Sequence, residues 1–188
     1  MNQKRTPMNP KPVTLAVAAV LFCGVSGGTF AASDTATITI TGRVLANTCT
    51  IDSGSAKQNV TLSDIADRDI KGAGKTGGEK QISIVLKECG PVANYVTVTA
   101  SGNPDGADTT AFANSIAQED AGATGVALYF YQTDGSTKFK PDGSVTEKST
   151  LTPSQDNTLA YKVAYVGTKD VVTAGSFSTV VNMKFEYQ

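Results

Sequence analysis

The sequence predicts an all-β protein, an antiparallel sandwich. Three observations carry this. Short segments with apolar residues at every second position recur along the chain, separated by turn signals. Past the first 31 residues the chain is rich in Thr, Val, Ser, Gly and Ala and has no Trp, a usage that favours strands and turns over helices. The longest alternation comes last: Phe177, Thr179, Val181, Met183, Phe185 and Tyr187 fall on one face, with Ser178, Val180, Asn182, Lys184, Glu186 and Gln188 between them. The sequence closes on that strand with no following turn, so the reading expects an apolar free edge that needs a partner.

Residues 1–31 are expected to be a secretory signal. Lys4, Arg5 and Lys11 supply a positive start, Val13–Val25 is an apolar run too short to anchor in a bilayer, and small residues follow. Cleavage after Ala31 places Thr29 at the −3 position; cleavage after Ala32 would put bulky Phe30 there and ranks second. No later segment is apolar enough to cross a membrane. The 188 residues carry 16 Lys+Arg against 17 Asp+Glu, and removing the three basic residues of the signal leaves 13 against 17, a net charge near −4. Basic residues are scattered singly, which argues against nucleic acid as a partner. About 157 residues suffice for one domain with a core.

Cys23 leaves with the signal, so Cys49 and Cys89 remain as an even pair. Export makes a disulfide the default reading, and a bridge closing 40 residues is worth roughly 4 kcal/mol. Two free thiols or half of a metal site are the alternatives. With no histidine in the chain, a zinc site would need carboxylates.

Taken in order, Ala36–Gly42 alternates small or β-branched apolar residues with threonines and reads as a strand, narrow enough to lie on another molecule. Arg43–Ile51 continues it, with a bulge at Asn47-Thr48. Gln58–Leu62 is a short strand, and Ser63–Gly78 a polar loop with room for one helical turn. Lys80–Lys87 turns Ile82, Ile84 and Leu86 inward before the Gly90-Pro91 break. Tyr95–Ala100 carries Val96, Val98 and Ala100 on one face. Asn103-Pro104-Asp105-Gly106 is turn chemistry, and Ala111–Gln118 reads as a helical turn. Val126–Gln132 is a strand; Asp134-Gly135-Ser136 and Asp142-Gly143-Ser144 are turns. Thr158–Val166 sets Leu159, Tyr161, Val163 and Tyr165 against Ala160, Lys162 and Ala164, and Thr173-Ala174-Gly175 turns into the last strand. About seven strands with frequent turns indicate a sandwich of immunoglobulin type.

Catalytic chemistry has little to work with. There is no histidine for a general base, and no cysteine nucleophile if the pair is oxidised. Gly74-Lys75-Thr76 lacks the upstream glycine of a phosphate loop. Asp105 with Asp108, and Asp134 with Asp142, lack the spacing of a calcium loop and read as solvated turns. Neither an enzyme nor a cofactor or metal site is expected.

Several segments together resemble one family. Thr37-Ile38-Thr39-Ile40-Thr41-Gly42-Arg43-Val44, Asn47-Thr48-Cys49-Thr50-Ile51, Leu86-Lys87-Glu88-Cys89, and Val172-Thr173-Ala174-Gly175 followed by Phe185-Glu186-Tyr187-Gln188 are similar to the pilin subunits of chaperone–usher fimbriae. Among these, the minor, adaptor-type subunits of type 1 fimbriae come nearest. The resemblance implies an incomplete immunoglobulin-like antiparallel β-sandwich lacking its last strand, completed by donor-strand exchange. A periplasmic chaperone would lend a strand to the vacant groove; at the outer-membrane usher, the N-terminal extension of a neighbouring fimbrial subunit would replace it, and the fibre would stand on the cell surface. The implied division is a signal at 1–31, an extension at 32–43 and a pilin domain at 44–188. The implied donor strand is about Asp34–Arg43, with Ile38 and Ile40 entering pockets and Ala36 and Gly42 at tight flanking positions; many major pilins have Gly near the Ala36 position. The implied acceptor edge is Phe177, Thr179, Val181, Met183, Phe185, Tyr187 and Gln188, whose terminal carboxylate the chaperone would grip.

Other readings use the same residues. Ile38 and Ile40 could form an ordinary edge strand within their own domain. The chain could be a secreted sugar-binding β-sandwich, a major pilin of the same family, or a periplasmic enzyme on the same scaffold, the last disfavoured by the missing histidine.

Overall fold

A computed structural model describes residues 35–42, 44 and 48–188. It separates into two units, Met1–Gly42 and Arg43–Gln188. In the first, Thr35–Gly42 carries no regular secondary structure and every residue is exposed. The signal reading at 1–31 lies outside the described residues, as do the bulge residue Asn47 and the donor-strand limits Asp34 and Arg43.

The described residues of the second unit form eight strands: β1 (Thr50–Ile51), β2 (Thr76–Lys87), β3 (Tyr95–Ser101), β4 (Phe112–Ala113), β5 (Val126–Tyr131), β6 (Asp142–Thr150), β7 (Asn157–Gly167) and β8 (Asn182–Tyr187). They form two antiparallel sheets, one in the order β1-β2-β7-β5-β4 and the other β6-β3-β8. Period-two alternation explains the facing. On β3, Val96, Val98 and Ala100 are fully buried while Tyr95 is 41 % exposed. Ile84 and Leu86 of β2 and Leu159, Tyr161 and Val163 of β7 meet them from the opposite sheet in one core. Its centre is aromatic: Phe130 lies 5.5 Å from both Phe139 and Tyr161 and meets Phe112 edge-on at 6.4 Å.

Cys49 and Cys89 are joined by a disulfide. It ties the segment entering β1 to the end of β2, and Asn157 donates its side-chain amide to Cys89 Sγ at 3.4 Å.

Several local expectations are corrected. Of the strand expected over Arg43–Ile51, the described residues form only Thr50–Ile51, paired to Lys87 and Leu86. Asp52 then ends it, because its carboxylate accepts from Gly54 N and caps a four-residue helix, Ser53–Ala56. Gln58–Leu62 is not a strand, although Leu62 still packs on the core. The helical turn expected at Ala111–Gln118 is instead the short edge strand β4, and a 3₁₀ turn follows at Gln118–Asp120. Asp142-Gly143-Ser144 opens β6 rather than standing as a separate turn. Gly143, at φ 73°, marks an irregularity through which the β3–β6 register shifts between Thr99 and Ser101.

The last strand is shorter than its alternation suggests. Only Asn182–Tyr187 pairs with β3, whereas the residues before it cross to the other sheet. There Ser115 N donates to Ser178 O at 2.7 Å, and Ser178 N donates to Asn114 Oδ1 at 3.0 Å. Gly102 lets the crossing pass close: a Cβ there would stand 2.7 Å from Val180 O and 2.8 Å from a Phe112 ring carbon.

Candidate functional site: an apolar groove beside the last strand

Among the described residues, β8 has a neighbour on one side only, β3. Tyr95 and Gln188 exchange both main-chain bonds, Gln188 N to Tyr95 O at 2.9 Å and Tyr95 N to Gln188 O at 3.2 Å. Hydrogen-bonded pairs alternate along an antiparallel ladder. With Tyr187 opposite Val96, Phe185 opposite Val98 and Met183 opposite Ala100, the N–H and C=O groups of these three β8 residues point away from β3. The open edge therefore presents main-chain donors and acceptors from the same residues whose side chains face the core.

Burial tells the same story. Phe177, Thr179, Val181, Met183, Phe185 and Tyr187 are each half-buried and the residues between them exposed, while their β3 partners Val96, Val98 and Ala100 are completely buried. A side chain covered from one flank and bare on the other gives this pattern. The bare flank opens onto a groove of about 840 Å³. Phe177, Thr179, Val181, Met183 and Phe185 form one wall, Ile51, Ile82 and Ile84 the other, and Leu128, Phe130, Val163 and Tyr165 the floor. At one end Tyr165 and Phe177 stack edge-on at 5.2 Å beside Ile65, Ile70, Val126 and Val172.

Of the expected acceptor residues, five line this groove. Tyr187 packs against the main core instead, its buried hydroxyl without a hydrogen-bond partner, and burial raises its pKa. Gln188 is exposed, and its main-chain oxygen also accepts from Asn94 N at 3.2 Å. The opposite wall was only partly visible in the sequence. Ile82 and Ile84 follow from the alternation of β2, but Ile65 sits in a polar loop and Ile51 at the end of a two-residue strand, where no period exists to flag them. Of the expected donor residues, Ile38 is 81 % and Ile40 88 % exposed, and Ala36 and Gly42 are exposed too.

The acidic turns have structural partners. Asp134 accepts from Thr137 Oγ1 at 2.6 Å and from the N–H groups of Ser136 and Thr137, and these bonds hold its carboxyl down to about 2. Burial works against ionisation of Asp108, yet hydrogen bonds from Thr110 and Tyr129 prevail and keep its pKa below the ordinary value. Tyr129 is pushed up to about 12, by burial first and by its bond to Asp108 second. Asp105 caps the turn ahead of it, accepting from Ala107 N and Asp108 N, and Asp142 accepts from Ser144 N.

An open-edged sandwich with an apolar groove beside its last strand agrees with what is already known of related chains. The model of the family described as fimbrial protein matches residues 38–188. This chain belongs to that family of chaperone–usher fimbrial subunits. It is 36 % identical over 152 residues to the laminin-binding fimbrial subunit ElfA of Escherichia coli O157:H7, covering 80 % of this chain and 82 % of that one. It is 31 % identical over 168 residues to the type-1 fimbrial protein A chain of Salmonella typhi, covering 86 % and 90 %. A solved chaperone–usher pilus has the same fold at 21 % identity and a TM-score of 0.63, covering 86 % of this subunit and all (100 %) of that chain. The subunit is thus a structural component of an adhesive surface pilus with an incomplete immunoglobulin-like fold, and it is not an enzyme.

Proposed function

We propose that this fimbrial subunit polymerises by strand addition: its groove accepts the N-terminal extension of one neighbour, and its own extension enters the groove of another. The observation that carries the reading is the open β8 edge, whose outward main-chain groups and half-buried Met183 and Phe185 flank the groove. Such an edge supplies hydrogen bonds for affinity and alternate side-chain pockets for selectivity. Ile38 and Ile40, almost fully exposed on a segment without secondary structure, supply matching apolar side chains two residues apart, flanked by Ala36 and Gly42. The division into a signal at 1–31, an extension at 32–43 and a pilin domain at 44–188 belongs to the same reading. So do a periplasmic chaperone that covers the edge before assembly, gripping Gln188, and an outer-membrane usher where the exchange takes place.

A mixing experiment tests it. Deleting Ser33–Thr41, or replacing Ile38 and Ile40 by Asp, should leave the subunit's own fold and its chaperone complex intact while abolishing insertion into a partner with an open groove. Each buried Ile contributes about 1.5–3 kcal/mol, and a buried unpaired carboxylate costs more. Failure of the double variant to form its chaperone complex would place both residues in its own core and overturn the donor role. Within the fibre we assign the subunit to the minor, adaptor-type positions, on the Thr37–Thr41 pattern and the Phe185–Gln188 ending. Quantifying it in purified fibres checks this: a few copies per fibre are expected, and a copy number matching the whole shaft would make it the major pilin.

A further inference from the structure

The three-stranded sheet has two edges, β8 and β6, and they are built in opposite ways. On β8 the inward positions are Met183, Phe185 and Tyr187. On β6 they are Val145, Glu147 and Ser149, and Glu147 is only 7 % exposed. Glu147 Oε1 accepts from Ser149 Oγ at 2.9 Å, from Thr133 N at 3.3 Å and from Thr133 Oγ1, while Oε2 has no hydrogen-bond partner among the described residues. Nearby Tyr161 has a buried hydroxyl without a partner, and its pKa is raised by burial first and by the charge of Glu147 second.

The turn after β5 lies along the same edge. Because β3 uses Tyr95, Thr97 and Thr99 to bond β8, it uses Val96 and Val98 to bond Ser149 and Glu147. The main-chain groups of Thr146 and Lys148 therefore point outward from β6, and one of them is already engaged: Gln132 Nε2 donates to Thr146 O at 3.4 Å. Inward-pointing charges and irregularities at strand ends are recurrent means of blunting a sheet edge.

We propose that Glu147, with the Gln132-Thr133 turn bonded across it, is an edge guard that prevents strand addition at β6 and so leaves β8 as the accepting edge of this sheet. A strand laid along β6 would have to displace Gln132 from Thr146 O and seal off a carboxylate that already has one oxygen unpartnered. The same strand laid along β8 meets Met183, Phe185 and Tyr187 on the inward face, with no carboxylate among them, and main-chain groups that point outward. The inference rests on strand addition as the mode of assembly, and it adds to that mode a residue that sets which edge is used.

The test places a cysteine on the guarded edge, Thr146→Cys, in the full chain with Glu147 intact and with Glu147→Leu, and measures intermolecular disulfide dimers on non-reducing gels. The Glu147→Leu background is expected to raise dimer yield about tenfold, as removal of a buried charge from a pairing edge should. Adding Lys148→Pro, which deletes an outward N–H without breaking a β3 bond, should return it to the starting level. Equal yields with and without Glu147, or dimers that Lys148→Pro leaves intact, overturn the guard. Should the Leu variant not fold, Glu147→Gln decides: it retains an acceptor for Thr133, and a rise in dimers is again required. A parallel arm measures binding of a synthetic peptide of residues 34–43 to the unaltered chain by native mass spectrometry. Binding supports strand addition at β8, its failure counts against pairing of this chain with its own copies, and the dimer ratio judges the guard separately.

Discussion

Truncating Phe185 should divide its cost between two measurements. The side chain projects from β8 into the core opposite Val98, which is wholly buried, yet Phe185 itself keeps one flank bare to the groove. Removing a fully enclosed Phe costs about 3–5 kcal/mol. Because most of this ring is already covered by its own domain, Phe185→Ala should lower the stability of the isolated subunit by about 2–3 kcal/mol. The remaining ~1 kcal/mol belongs to surface that only an incoming strand covers, and it should appear as about a fivefold loss of affinity for a donor peptide. Urea unfolding reads the first part and peptide titration the second. A variant that is destabilised but binds the peptide with unchanged affinity would show that β8 does not form the docking wall, whatever its burial.

Other residues give further tests. Cys49→Ser should cost roughly 4 kcal/mol, the loop entropy of a 40-residue closure, and the unaltered protein should lose the same amount on reduction; an unmoved urea midpoint refutes the bridge. Gly102→Ala brings a methyl against Val180 O and the Phe112 ring, so about 1–3 kcal/mol of overpacking is expected in thermal unfolding; a neutral result would mean that the crossing before β8 is looser than described. Asp134 has a carboxyl held down to about 2 in the folded state. A depressed folded pKa gives stability that is present above the unfolded value near 4 and is lost as pH falls towards 2. Asp134→Asn should therefore unfold more easily than the unaltered chain at pH 6, with the gap closing at pH 2; a gap that widens on acidification contradicts the Thr137 and Ser136 bonds.

What could be read from the residues alone is what depends on local period. Alternation along β2, β3, β7 and β8 is a property of each strand's own side chains, so the inward sets Ile82-Ile84-Leu86, Val96-Val98-Ala100 and Leu159-Tyr161-Val163 and the half-buried face from Phe177 to Tyr187 were legible, as was the pairing of Cys49 with Cys89. Pairing across the sheets was not. Asp142-Gly143-Ser144 has turn chemistry, but the β3 edge captures it as the start of β6 and absorbs the misfit in a register shift. The alternation before Asn182 is equally regular, yet Ser115 and Asn114 draw that part of the chain to the other sheet and end the strand. Part of the groove's far side, Ile51 and Ile65, comes from residues more than a hundred positions away with no periodic neighbours of their own. A strand's face is written in every second residue, and so was the free edge expected of the last one, whereas a strand's neighbours are chosen by the packing of the whole sandwich; only the tertiary structure could decide that β8 pairs with β3, and that β6 at the other edge carries a buried carboxylate held by the Gln132-Thr133 turn.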